Sequence, residues 1–102
     1  MAGVISTDEA TTANPDLSPE AFFTLGMECS IGGDVPSDLV SAHKWFNLAA
    51  MKGNQEAVRL RREIAEQMSN TEIGAAQRAA RDFIKLYPSA FAPPAPRLNA
   101  AA

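Results

Sequence analysis

The feature that most constrains this chain is a repeated unit of helix start and helix stop. Ser18, Ser37 or Asp38, Asn54 and Ser69 each stand before a run with helical spacing, and three of the four runs meet a glycine or proline, the third ending at the Ser69 cap instead. Small polar residues at those places accept hydrogen bonds from the free N–H groups of a first helical turn. Glycine and proline close those three runs, because glycine takes the backbone of a helix end and proline cannot continue the ladder. A chain punctuated in this way has room for helices of about three to four turns joined by short connections.

Four helices are predicted. The first lies in "SPEAFFTLGMECS", with Ser18 as cap, Pro19 at the first helical position and Glu20 near the positive helix end. Phe22, Leu25, Met27 and Cys29 supply its apolar surface, and "IGGDVP" ends it. The second is "SDLVSAHKWFNLAAMKG", with Leu39, Ala42, Trp45, Phe46, Ala49 and Ala50 in helical register, Lys52 in the last turn and Gly53 as the stop. The third, "NQEAVRLRREIAEQM", buries Ala57, Leu60, Ile64 and Met68 and pairs Arg59 with Glu63 and Arg62 with Glu66 along its solvent face. The fourth begins at a Ser69–Glu72 capping box and buries Ile73, Ala76, Ala80, Phe83 and Tyr87 before Pro88 ends it. Gly74 weakens its early turns. Strand signals are nearly absent.

The fold class that follows is all-α, built as two stacked antiparallel helix hairpins. The alanines at 42, 49, 50, 76, 79 and 80 let helices approach closely, with one large side chain per turn filling the gaps. The folded domain is placed at residues 18–87. Residues 1–17 lack a sustained apolar period, and residues 88–102 hold four of the seven prolines, so both read as flexible tails.

The residues Ala21, Leu25, Gly26, Gly32, Val35, Asp38, Ala42, Trp45, Phe46, Ala49, Ala50 and Gly53 resemble a Sel1-like repeat, a relative of the tetratricopeptide helix-hairpin family. The resemblance spans about residues 20–57. It departs from the family pattern at Cys29, where an aromatic is usual, and at Asp34, where a second loop glycine is common. It implies that Gly26 lets the second helix lie close to the first, that Val35 tucks under the hairpin and that Trp45 and Phe46 are packing residues. Residues 58–87 then form a degenerate repeat or cap. The family's usual role implies a bacterial protein–protein adaptor, non-catalytic and without a cofactor. The candidate partner-binding residues are Phe23, Leu39, Val40, Arg78, Arg81 and Lys85.

Charge refines this reading. Residues 1–51 carry seven acidic groups against one lysine, a net −6, and residues 52–102 carry eight basic against five acidic groups, a net +3. The whole chain is therefore acidic, and its basic residues interleave with Glu63, Glu66, Glu72 and Asp82, which argues against nucleic acid as a partner. The asymmetry suits an acidic protein partner or head-to-tail contact with a second copy of the chain, while the plainer reading is that tail acids and helix-face bases keep the protein in solution.

Chemistry is sought at few places. His43 is a lone histidine expected on the surface, with no second histidine at metal-ligand spacing. Cys29 is expected buried and inert, and no third group orients it with His43 as a nucleophile pair. "GGDVPSD" lacks the lysine and serine of a phosphate loop. "APPAPR" reads as a solvated tail. A single cysteine excludes an intrachain disulfide and points to a reduced, cytoplasmic setting. No secretory leader pattern opens the chain, and no apolar run reaches the length of a membrane span.

Overall fold

A computed structural model of the chain describes residues 16–32 and 37–91. Among them there is no strand, and the protein is all-α. The elements are α1 (Pro19–Ile31), α2 (Leu39–Met51), α3 (Gln55–Ala65), α4 (Asn70–Leu86) and a single turn α5 (Pro88–Phe91).

Each start signal acts locally. The side chains of Ser18, Asp38, Asn54 and Ser69 accept from the backbone N–H of Ala21, Ser41, Ala57 and Glu72. At Ser69 the box is reciprocal, because the Glu72 carboxylate accepts the Ser69 N–H at 2.8 Å. Of the two residues proposed for the α2 cap, Asp38 takes the role. Its carboxylate also accepts from the Ser41 hydroxyl at 2.7 Å, and these bonds hold its pKa below the ordinary value. The stops act as well. Gly32 and Gly53 have φ of 89° and 105°, a region that disfavours a side chain.

The helices assemble around α2. It packs against α1, α3 and α4, while α3 and α4 each lean mainly on α2. The α1/α2 pair is an antiparallel hairpin. Cys29 at the end of α1 accepts the Asp38 N–H before α2, and Phe22 near the start of α1 meets Trp45 well along α2. The second pair does not close on itself as a hairpin does, because the apolar stripes of both helices are spent on α2. Most of those stripes are the expected ones, although Ile73 and Tyr87, expected buried, are half-buried and lie outside the core cluster. Ala57, Ile64, Ala76 and Ala80 are buried, and Leu60, Met68 and Phe83 are half-buried against the core.

The core is centred on Phe22, Phe46 and Leu48. Four expectations are corrected here. Leu25 is exposed, because its neighbour Gly26, with Phe22 and Phe23, forms the side of α1 that meets α2. Leu48 is fully buried, though it lies off the expected stripe, because α2 has neighbours on several sides. Arg59 pairs with Glu63, at 2.6 Å, and with Glu56, but Arg62 and Glu66 form no ion pair among the described residues. Both are exposed, and Glu66 lies beyond the last helical residue, where water competes for each charge. The folded unit also extends past both proposed boundaries. Leu17 and Phe91 pack against the core, and α5 begins at Pro88 itself. Residues 1–15, 33–36 (with Asp34 and Val35) and 92–102 lie outside the described residues.

Candidate functional site

One surface, one aromatic cluster and one buried group concentrate the chemistry of the chain. The surface is the outer side of α4. Arg78, Arg81 and Lys85 lie three and four residues apart, so they share one helix face, and all three are exposed. Lys85 has Asp82 at 4.0 Å, with both side chains largely in solvent. The row is therefore a positive strip with one nearby carboxylate.

The apolar half of the expected surface is different. Phe23 is half-buried, with its ring 5.6 Å from that of Phe46 and tilted by 55°. Leu39 packs against the core, and Val40 is half-buried. The structure does not bring Phe23 and Leu39 together with the basic row as an exposed patch. The α1/α2 interface claims them first, because burial of large apolar groups is the main return from closing so small a domain.

The second feature, an aromatic cluster at the edge of the core, was not anticipated as one group. Phe22 stacks on Trp45 at 5.8 Å and 16°, and on Phe91 at 5.8 Å and 18°. Phe83 stands edge-on to Phe22 at 5.6 Å and to Trp45 at 5.3 Å. Offset-stacked and edge-to-face pairs at these distances add to the gain from area burial. Lys44 covers the outer face of this cluster, with Nζ 3.9 Å from the Trp45 ring centroid. Lys52 closes its other end. Its Nζ donates to the Ala90 carbonyl at 2.9 Å and lies 5.4 Å from the Phe91 ring centroid. The signal in the sequence was Phe91 itself, the one aromatic residue among small residues and prolines after Tyr87.

The buried group is His43, and its expected surface position is corrected. Its relative exposure is 4%, and Nδ1 has no hydrogen-bond partner among the described residues. Burial lowers its pKa, and the Arg61 guanidinium across the α2/α3 interface lowers it further. Arg61 is itself oriented by a 2.5 Å hydrogen bond to Asn47 Oδ1. The ring is buried because α2 is sheltered on more sides than a two-helix hairpin provides. A helix with apolar residues around most of its circumference carries that signal.

Cys29 is half-buried, not fully buried as expected. Its thiol pKa is raised by burial and by the Asp38 carboxylate. No hydrogen bond joins Cys29 to His43. Among the described residues no group of three or more His, Cys, Asp or Glu is placed to hold a metal ion. No described helix is long and apolar enough to cross a membrane. Comparison with known proteins finds no matching family model, no matching curated relative and no matching solved structure.

Proposed function

We propose that this chain is a non-catalytic protein–protein interaction module of the Sel1-like, tetratricopeptide-like kind, acting as an adaptor in the bacterial cytoplasm. The observation that carries this reading is the exposed row of Arg78, Arg81 and Lys85 on a helix whose Ala76, Ala80, Phe83 and Ile84 pack inward. A rigid helix bearing spaced cations suits an acidic protein surface and fixes the register of contact. The closed position of His43 supports a packing role for the most reactive-looking part of the sequence. The fit of Gly26 against Phe46 supports the helix-hairpin resemblance at two of the positions that carry it.

Affinity capture with the wild-type chain and with an R78E/R81E/K85E variant tests the reading. A partner retained by the first and lost by the second, with unchanged helicity, is the expected result. Identical captures by the two chains overturn it.

A second reading, self-association, draws on the charge division between the halves of the chain, −6 against +3. Attraction between unlike halves of two copies weakens with salt. Sedimentation at millimolar protein and low ionic strength that shows only monomer excludes it.

A further inference from the structure

The turn α5 is attached to the domain as a ligand is attached to a receptor. It follows a break in the helix at Tyr87, where φ is −133° and ψ is 60°. Its only described backbone hydrogen bond to the preceding chain runs from the Ala90 N–H to the Tyr87 carbonyl, at 3.1 Å. Pro88 and Ser89 are exposed. Beyond that, two anchors dominate. One is the Phe91 ring, set against Phe22 and edge-on to Phe83 at 6.2 Å. The other is the Ala90 carbonyl, held by Lys52 from 38 residues away in the chain. An aromatic side chain in an apolar seat, with one backbone group held beside it, is a recurrent arrangement for recognising a short peptide.

The seat itself is built by the rest of the domain. Phe22 comes from α1, Phe83 from α4 and Lys52 from the end of α2, and Trp45 of α2 backs the seat by stacking on Phe22. Phe22 is 1% exposed with Phe91 in place, so removal of that ring uncovers apolar surface that a similar group would cover again.

We infer that this seat is a recognition site for a short peptide segment bearing an aromatic side chain, and that Pro88–Phe91 occupies it in cis. The inference rests on the interaction-module reading and deepens it, since it names a second contact and the chemistry of what binds there. The partner segment presents an aromatic ring to Phe22 and Phe83, with the carbonyl of the preceding residue directed at Lys52. The tethered turn competes through its high effective concentration, in the millimolar range for a short linker. A partner therefore binds more weakly to the intact chain than to one whose turn is disabled, by the fraction of time the seat stands open.

The probe is a synthetic peptide of residues 88–102, titrated into the full-length Phe91→Ala chain and followed by backbone amide NMR shifts. The expected result is saturable shifts at Phe22, Trp45, Lys52 and Phe83. The wild-type chain should respond at least about tenfold more weakly under the same conditions. A peptide carrying the same Phe91→Ala change should give no saturable response. The inference is overturned if the Phe91→Ala chain gives none, if both chains respond alike, or if the two peptides act equally.

Should Phe91→Ala fail to fold, the full-length Lys52→Gln chain provides a second measurement. Exchange of the Ala90 amide should rise at least about tenfold while α2 amides keep their protection, as expected when a locally attached segment opens by itself. Unchanged exchange at Ala90 overturns the inference. The two readings fail separately. Loss of the peptide response removes the seat and leaves the basic row of α4 standing, whereas captures insensitive to R78E/R81E/K85E remove the role of that row and leave the seat measurable.

Discussion

The Phe46 ring lies directly on the backbone of Gly26. A Cβ built at Gly26 would sit 2.6 Å from two of the ring carbons, closer than real Cβ contacts. This contact sets the spacing of the α1/α2 hairpin. Gly26→Ala forces the ring or one helix to move, at a cost of about 1–3 kcal/mol. Urea unfolding should show a lowered midpoint with a similar slope. In a G26A/F46L double variant the two effects should not add, because both residues shape one contact. Full additivity would show that the two sites are independent.

His43 makes the stability of the protein sensitive to acid. Its pKa lies below the ordinary 6.5, because burial and Arg61 both disfavour its charged form. The unfolded state therefore binds a proton that the folded state resists. The stability is present above pH 6.5 and is lost as pH falls toward the folded value. The groups facing the ring include Arg61 from α3, and Lys44 is its neighbour on α2. A His43→Leu chain should show a flatter dependence of unfolding free energy between about pH 7 and 5 than the wild type. Equal slopes for the two chains would remove His43 as the source.

Gly74 sits inside α4 with a negative φ, where glycine loses more entropy than alanine on folding. An added Cβ meets only the far end of the Arg78 side chain, at 3.4 Å, and that end is free to shift. Gly74→Ala should stabilise the protein by about 0.5–1 kcal/mol. A thermal midpoint that stays the same or falls would contradict this.

Gly53 behaves in the opposite way. No atom lies within 4 Å of a Cβ built there, yet φ is 105°. Gly53→Ala should cost about 1–2 kcal/mol through backbone strain alone. Comparison with Gly53→Asn separates the causes, since asparagine tolerates positive φ better. Equal losses for alanine and asparagine would point away from backbone conformation.

Asp38 caps α2 with two bonds to Ser41, at 3.0 Å to its N–H and 2.7 Å to its hydroxyl. Removal of a capping carboxylate typically costs about 1 kcal/mol. Asp38→Ala should therefore lower the denaturation midpoint, while Asp38→Asn, which still offers an oxygen to the N–H, should lose less. The reverse order would show that charge near Lys44 and Cys29, and not the cap, dominates at this position.

What was legible in the chain was local. Ser18, Asn54 and the Ser69–Glu72 pair act within a few residues of themselves, so the sequence carries their role directly. The stripes of α3 and α4 were also legible, because each helix has one apolar face and one polar face. The exposed row of Arg78, Arg81 and Lys85 follows from the same spacing. The α2 segment was harder to read. Its apolar residues occupy most of its circumference, and no periodicity shows how many neighbours such a helix will have. His43 was misplaced, and Leu48 was left off the stripe, for that reason.

The sequence by itself therefore determined where helices begin and end, which faces of α3 and α4 are apolar, and where the exposed positive row lies. These depend on hydrogen bonds and side-chain spacing over one or two turns. Tertiary structure alone decided that α2 is the shared centre of the domain, that His43 is enclosed beside Arg61, and that Phe91 returns to cover Phe22 under the hold of Lys52. Those outcomes depend on which apolar surfaces meet at long range, and burial is non-directional, so the pattern within any one segment does not name its partner.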